Sequence, residues 1–148
     1  MTAFRMMGIE DYDGVYDLWI NTPGMGLNTT DDSREGIAKY LKRNPTTSFV
    51  AEEDGKIVGV IMAGHDGRRG YIHHTAVLPD YRNRGIAKTL VNCAMNALEQ
   101  EGISKVALVA FAKNEIGNGF WESIDFLVRD DLVYRNKNIR ELKRIDTE

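Results

Sequence analysis

Apolar residues recur along this chain with two different periods, and each period predicts one kind of secondary structure. Helical spacing predicts four helices, over residues 9–20, 33–43, 85–100 and 114–124. Short runs rich in β-branched and aromatic residues predict the strands, over residues 2–7, within 47–64, 71–77 and 106–112. The last of these runs, VALVAFA, is unbroken, which is typical of a strand covered on both faces.

Turn and capping signals separate these elements. The pair Asp54-Gly55 predicts a tight turn that makes residues 47–64 a hairpin. Residues 21–32 are too rich in Gly, Pro, Asn and Thr to continue a helix. Asp32 with Glu35 three positions later resembles a capping box that opens the second helix.

The end of the chain is less regular. Residues 126–135, FLVRDDLVYR, predict a terminal hairpin or a bent strand pair, and the charged tail after them is compatible with strand, helix or loose chain. The order β-α-α-β-β-β-α-β-α-β predicts a mixed α/β fold, and 148 residues without a linker or repeat predict one domain, 1–148.

Composition excludes several classes of protein. A net charge of −3 argues against a nucleic-acid partner, and no apolar run approaches the roughly 20 residues that span a bilayer, so neither partner is expected. The N-terminus lacks the apolar core of a secretory signal, and the single cysteine favours a reducing, cytoplasmic location. No metal is expected, because the histidines and the cysteine lack the spacing of a metal site: His65, His73, His74 and Cys93.

The stretch from Val77 to Leu90, VLPDYRNRGIAKTL, places basic residues and a glycine where a helix begins. The first turn of a helix leaves backbone N–H groups unbonded and carries a partial positive charge, so it can hold a phosphate. Gly85 allows the backbone to come close to such a group, and Ala87 is small. Arg82, Arg84 and Lys88 add positive charge, although a basic helix start on a solvated face is the simpler alternative. The nucleoside-triphosphate and dinucleotide loop motifs are both missing.

The motif Arg82-x-x-Gly85-x-Ala87, within AVLPDYRNRGIAKTLV, resembles the [RQ]-x-x-G-x-[GA] acetyl-CoA signature of the GCN5-related N-acetyltransferase (GNAT) family. A looser second likeness is the helix that Asn114 leads, NEIGNGFWESIDF. The order of elements is similar to the family's from residue 2 to about residue 134. The resemblance implies a mixed, partly antiparallel central sheet with helices on both faces, in which 71–77 and 106–112 splay apart to bind acetyl-CoA.

The resemblance also assigns cofactor contacts, and no metal is implied. The backbone of residues 75–77 would hold the thioester and pantetheine, the amides of 82–88 the pyrophosphate, and Asn114 the pantetheine or phosphate region. The implied cofactor residues are Thr75, Ala76, Val77, Arg82, Asn83, Arg84, Gly85, Ile86, Ala87, Lys88 and Asn114.

Two positions depart from the family's pattern. Trp121 stands where the family usually has the tyrosine that protonates the leaving thiolate, and Asp125 replaces the usual glycine before Phe126. An indole N–H donates a hydrogen bond but does not give up its proton near neutral pH. Because a thiolate leaves readily at neutral pH, an acid is not obligatory. Tyr134 is the alternative donor, or simply an aromatic of the last strand.

His73 and His74 are the candidates for the base that deprotonates the amine, with Glu52 and Glu53 acting through water as the alternative. Adjacent strand residues face opposite sides, so only one histidine is expected to face the acceptor, with the preference on His74 unless the strand is distorted. The implied activity is acetyl transfer by direct attack of a small-molecule or peptide amine. A homodimer is compatible with it, and a CoA-binding module that has lost turnover is the alternative. The loop 21–32 would carry the acceptor specificity.

Overall fold

A computed structural model describes all 148 residues of the chain. The helices are α1 Tyr12–Ile20, α2 Arg34–Arg43, α3 Ile86–Gln100 and α4 Glu115–Ser123. The strands are β1 Ala3–Met6, β2 Gly26–Asn28, β3 Phe49–Glu53, β4 Lys56–His65, β5 Gly70–Val77, β6 Val106–Leu108 and β7 Arg144–Asp146. Single 3₁₀ turns precede α1 and follow β5, at Ile9–Asp11 and Pro79–Tyr81. The four predicted helices and the first strands are therefore present.

Five strands form the central sheet in the order β1-β3-β4-β5-β6. Neighbours run antiparallel except β5 and β6, which are parallel. The turn between β3 and β4 has positive φ at both Asp54 (51°) and Gly55 (77°). Positive φ at both central residues is the geometry of the tight hairpin turn that the Asp-Gly pair predicts.

The sheet separates two apolar cores, because successive residues of β4 point to opposite faces. Val60 and Met62 pack against α1 and α2, around the fully buried Trp19. Ile61 and Ala63 pack on the other face, with a row of buried α3 residues: Ile86, Leu90, Val91, Ala94 and Leu98. Helices thus cover both faces of the sheet, as expected.

The strand prediction fails toward the end of the chain. Strand β6 is only Val106–Leu108, and Val109 beyond it is 57% exposed, so the run is not covered on both faces. Residues 126–135 contain no strand, and their apolar side chains are exposed: Leu127, Val128, Leu132, Val133 and Tyr134. High β-propensity makes a strand only where a partner edge is available, and this run pairs with none.

The tail instead supplies β7, which pairs antiparallel with β2 in a separate two-stranded sheet. The sequence does not predict β2, which falls inside the segment expected to be a loop, whereas β7 lies in the charged tail, for which a strand is one of the open alternatives. None of the four helices combines the length and apolar character that crossing a membrane requires.

Candidate active site

Strands β5 and β6 pair over three residues and then part. The last aligned pair is Ile72 with Leu108, whereas β5 stays paired with β4 as far as Val77. The amide of Leu78 donates to the carbonyl of Val58 on β4 (2.9 Å). Since backbone groups alternate between the two edges of a strand, the amide of Val77 faces the gap. The predicted splay is present, and Thr75, Ala76 and Val77 border it.

The start of α3 has the geometry predicted for an anion site. Gly85 has a φ of +80°, and a Cβ built on it would meet no atom within 4 Å, so its backbone faces open space. Asn83 also has a positive φ, 64°. The backbone N–H groups from Asn83 to Lys88 donate no hydrogen bond within the protein. Six consecutive amides, including those of Ile86 and Ala87, are therefore available to an anion.

Three basic residues belong to the same segment as these amides. Lys88 is exposed and Arg82 is half-buried. The guanidinium of Arg84 lies over the Tyr81 ring, 4.9 Å from its centroid, and 3.5 Å from a carboxylate oxygen of Glu53. The start of α3 therefore carries net positive charge, although Glu53 offsets part of it.

Asn114 joins the start of α4 to the loop before β2. Its Oδ1 accepts a hydrogen bond from the amide of Gly117 (3.0 Å) and so caps α4. Its Nδ2 lies 3.0 Å from the point that a Cβ on Gly24 would occupy, so the side chain touches the loop before β2. Its predicted contact with the cofactor stays a prediction. Because Oδ1 caps the helix, the side-chain nitrogen Nδ2 is the atom that could make this contact.

The structure corrects the expectation that His73 and His74 face opposite sides. Val60 aligns with Ala76 and Met62 with His73, so two residues of β5, His74 and Thr75, lie opposite one residue of β4. This β-bulge shifts the alternation by one residue. Both imidazoles consequently lie on the α1–α2 face, with ring centroids 6.3 Å apart.

His74 forms a close pair with Asp32. Its Nε2 lies 2.7 Å from Oδ1 of Asp32, whose side chain is 5% exposed. Asp32 Oδ2 accepts a hydrogen bond from the amide of Asn28 (2.8 Å), and the Trp19 and His74 rings pack edge-to-face with their centroids 5.0 Å apart. Because a carboxylate accepts hydrogen bonds, we assign the proton of the neutral ring to Nε2, which leaves Nδ1 as the acceptor.

The capping role predicted for Asp32 is wrong. Ser33 is the N-cap of α2, and its hydroxyl accepts the amide of Gly36 (3.0 Å). The sequence Asp31-Asp32-Ser33 offers three residues that can cap a helix. The buried histidine contact of Asp32 depends on the fold and could not be read from that pattern.

His73 has a different environment from His74. Its ring packs against Tyr71 (4.6 Å) and edge-on against Tyr40 (5.6 Å). Desolvation by this surrounding protein, followed by the charge of His74, lowers the pKa of His73 to about 4. The residue as a whole is nevertheless exposed, so the packing of its ring on the two tyrosines favours the neutral form while water still reaches it. At neutral pH His73 is an uncharged ring beside His74.

The remaining candidates lie apart from the histidine pair. Tyr134 is 65% exposed in the segment without strands, where its hydroxyl accepts Nδ2 of Asn136 (3.3 Å). Glu52, on β3, has its Oε1 3.5 Å from Nε of Arg5 on β1. Strand β4 lies between β3 and β5 in the sheet. The structure therefore does not bring Tyr134, Glu52 or Glu53 into contact with His73 or His74.

The two departures from the family motif lie at the end of α4. Trp121 packs edge-on between Phe120 (5.1 Å) and Phe126 (5.2 Å), against the α3 core. Asp125 has a φ of +70°, the region that glycine favours and that Asp tolerates better than most residues. Asp125 thus adopts the left-handed backbone conformation that glycine usually provides.

Comparison with known proteins places this site in a family. The model of the acetyltransferase (GNAT) family matches residues 12–126. An acetyltransferase of Sodalis glossinidius is 31% identical over 137 residues, which are 93% of this chain and 95% of that protein.

Two solved structures share the fold. The PaiA N-acetyltransferase of Thermoplasma acidophilum, in complex with coenzyme A, superposes with a TM-score of 0.76 at 16% identity, over 100% of this chain and 99% of that one. The enzyme AAC(6')-Iy, in complex with the bisubstrate analogue CoA-S-monomethyl-acetylneamine, gives a TM-score of 0.70 at 20% identity, over 93% and 99% of the two chains.

Proposed function

The chain belongs to the GNAT family of acetyltransferases, and from that premise we propose how it transfers the acetyl group of acetyl-CoA to an amine. It is an N-acetyltransferase, and a non-catalytic CoA-binding module is not favoured, since its relatives are named as acetyltransferases. The observation that carries the proposed mechanism is the contact of His74 with Asp32 beside the parted strands β5 and β6.

Acetyl-CoA fits the free backbone groups of this chain. The six unbonded amides from Asn83 to Lys88, with the side chains of Arg82, Arg84 and Lys88, would hold the pyrophosphate. The pantetheine would lie along Thr75–Val77, where the amide of Val77 faces the gap. Bound there, acetyl-CoA supplies the acetyl thioester as the electrophile. No metal enters the proposed reaction.

His74 is the proposed general base. An ammonium acceptor must lose a proton before its nitrogen can attack the acetyl carbonyl, and Nδ1 of His74 accepts that proton. Asp32 holds the ring through Nε2 and stabilises the positive charge that develops on it, as a carboxylate does for the histidine of a hydrolase triad. The neutral amine nitrogen then attacks the acetyl carbonyl, and the tetrahedral intermediate loses its second N–H proton to water as the C–S bond breaks and the amide forms. CoA leaves as a thiolate and takes up a proton from water, and its ordinary pKa of about 8.5 makes a separate acid dispensable.

His73 is the weaker base of the two. A general base works best when its pKa is near the working pH. The pKa of His73, lowered to about 4 by desolvation and by His74, leaves it with little affinity for a proton at neutral pH. Its neutral ring, with those of Tyr40 and Tyr71, instead offers an uncharged aromatic surface next to His74.

Matched substitutions of the two histidines test this proposal. His74→Gln should lower kcat by about 10²-fold and remove the ascending limb of the kcat/KM profile against pH, because the base is lost. His73→Gln should retain the limb. Calorimetric titration with CoA should give the same affinity for both variants, since neither imidazole is among the proposed cofactor contacts. Equal profiles for wild type and His74→Gln would reject His74 and direct the search to Glu52 and Glu53.

The acceptor is proposed to be a primary amine, either a small molecule or a peptide amine, that enters from the α1–α2 face where both imidazoles lie. A turnover screen with acetyl-CoA across polyamines, amino acids, aminoglycosides and peptides separates the two classes. A cytoplasmic location and a homodimer are further proposals. Sedimentation of the purified protein tests the dimer, and fractionation of the producing cell tests the location.

A further inference from the structure

Thr147 fastens the loop before β2 from the far end of the chain. Its hydroxyl accepts the amide of Met25 (2.7 Å), 122 residues away in sequence, and donates to the carbonyl of Thr22 (2.5 Å). Its backbone N–H donates to the Met25 carbonyl (2.9 Å), and its carbonyl accepts the amide of Gly24 (3.0 Å). These four hydrogen bonds of 3.0 Å or less, with a longer one of 3.5 Å from the hydroxyl to the Met25 carbonyl, hold Thr22–Met25 to one residue.

The pairing continues from Thr147 along the two short strands. Asn28, the last residue of β2, aligns with Arg144, the first residue of β7, and the amide of Thr29 donates to the carbonyl of Lys143 (3.0 Å). Leu27 of β2 is 2% exposed in the α1–α2 core, and Ile145 of β7 packs on the same core. The loop before β2 and β2 itself are thus held along their length between the end of the chain, residues 143–147, and the α1–α2 core.

The clamped loop leads directly to the histidine pair. The amide of Asn28 donates to Oδ2 of Asp32 (2.8 Å), while Oδ1 of the same carboxylate lies 2.7 Å from Nε2 of His74. One carboxylate therefore joins β2 to β5. A shift of β2 would rotate this carboxylate and with it the His74 ring.

We propose that Thr147 is a positioning residue for the amine half of the reaction. It acts through β2, Asn28 and Asp32 on the orientation of His74. No hydrogen bond of Thr147 reaches the imidazole or a proposed cofactor residue, although Gly24, which it holds, lies against Asn114. This inference rests on the proposed role of His74 as the base. Displacing a catalytic group by about 1 Å can cost up to 10²-fold in rate. Loss of the Thr147 hydrogen bonds, which hold the segment that carries Asp32, is therefore expected to lower turnover.

The test compares Thr147→Val with Thr147→Ser. Valine has nearly the shape of threonine and lacks the hydroxyl, so the Met25 amide and the Thr22 carbonyl lose their partner, whereas serine keeps both bonds. Thr147→Val should lower kcat with an amine acceptor by about tenfold, and Thr147→Ser should restore it. Calorimetry should give an unchanged affinity for CoA in both variants. Equal kcat in wild type and Thr147→Val would overturn the proposal, as would a loss of CoA affinity equal to the loss in kcat.

A double-mutant cycle with Asp32→Asn identifies the route. If Thr147 acts through Asp32, adding Thr147→Val to Asp32→Asn should lower kcat little further. Independent, multiplying losses would overturn the proposed route. The outcome differs from failure of the base assignment: His74→Gln with wild-type turnover rejects the base, whereas an impaired His74→Gln with a fully active Thr147→Val rejects the clamp alone.

Hydrogen exchange on the wild-type protein provides a second measurement, which stands even if Thr147→Val does not fold. The amides of Gly24, Met25 and Thr147 should open together, as one cooperative unit less stable than β4. Separate opening of the Met25 and Thr147 amides would overturn the clamp.

Discussion

His74 Nε2 and Asp32 Oδ1 lie 2.7 Å apart, although the two residues are 42 positions apart in the sequence. Asp32 comes directly before Ser33, the N-cap of α2, and His74 lies in the bulge of β5 just after the pairing with β6 ends. The bulge re-aims His74 toward α1 and α2, where the loop after β2 presents the carboxylate. The pair therefore joins the part of the sheet next to the gap between β5 and β6, where we propose that the cofactor binds, to the loop expected to shape the acceptor site.

This contact predicts that Asp32→Asn impairs turnover without impairing cofactor binding. The neutral amide cannot stabilise the positive ring that forms when His74 takes a proton, and its NH₂ group can force the other tautomer. We expect kcat to fall by about 10²-fold, with CoA affinity unchanged in calorimetry.

Asp31→Asn is the matched control for that variant. Asp31 is exposed, and its carboxylate accepts Nδ2 of Asn28 (3.0 Å) without reaching a histidine. Its kcat should stay within about twofold of wild type, as for most surface substitutions. Comparable losses for Asp31→Asn and Asp32→Asn would mean that loop charge in general matters, not the contact with His74.

The start of α3 is the part of the site that could be predicted best from sequence. Gly85 follows a strand, a turn and two arginines, and those local signals fix the backbone regardless of the rest of the fold. Its φ of +80° and the free amides after it agree with that prediction. Local sequence determines such a feature because its hydrogen bonds and dihedral angles involve only neighbouring residues.

The features that could not be predicted depend on distant partners. The bulge at His74 and Thr75 arises in the pairing with β4, and strict alternation gave the wrong faces for His73 and His74. Strand β7 forms because residue 28 and residue 144 meet in space, which no local pattern indicates. Residues 126–135 carry strand propensity but find no partner edge. Pairing between distant segments is decided by the whole fold.

His73 should make the folded protein sensitive to acid. Desolvation and the charge of His74 lower its folded-state pKa from 6.5 to about 4. Between pH 6.5 and pH 4 the unfolded chain therefore binds a proton that the folded chain does not. The free energy of unfolding consequently falls as the pH drops through this window, and this contribution is complete above pH 6.5.

Urea unfolding of wild type and His73→Gln at several pH values measures this effect. The variant lacks the titrating ring, so its stability relative to wild type should rise as the pH falls through the window and stay constant above it. The carboxylates titrate in both proteins, so their contribution to the pH dependence cancels in the difference between the two free energies of unfolding. A stability difference that is constant from pH 4 to pH 8 would show that His73 titrates alike in both states.

Trp121 should be replaceable without a large loss of turnover. The indole packs edge-on between Phe120 and Phe126 in the apolar layer under α4, and its N–H has no transferable proton at neutral pH. Trp121→Phe should cost about 1 kcal/mol of stability from lost apolar contact and retain kcat within about threefold.

Trp121→Tyr is the informative partner of that substitution, because it places a phenol at the position where the family usually has one. If thiolate departure needs no acid, Trp121→Tyr and Trp121→Phe should have the same kcat across the neutral pH range. A kcat for Trp121→Tyr well above those of wild type and Trp121→Phe would show that protonation of the thiolate limits the rate.

Gly85→Ala should weaken CoA binding beyond its effect on stability, and Gly102→Ala separates the two effects. Both glycines have nearly the same positive φ, 80° and 81°, and a Cβ on either meets no atom within 4 Å. Each substitution should therefore cost about 1–2 kcal/mol of unfolding free energy, the strain of an L-residue in the left-handed region. Gly102 follows the other end of α3, about 22 Å away along 15 residues at 1.5 Å each.

The methyl group on residue 85 would project into the space beside the free amides, so we expect its CoA dissociation constant to rise at least tenfold, while Gly102→Ala keeps the wild-type value. Thermal unfolding and calorimetry on both variants give the two quantities side by side. If the two variants lose stability equally and bind CoA equally well, the amides at the start of α3 do not hold the pyrophosphate.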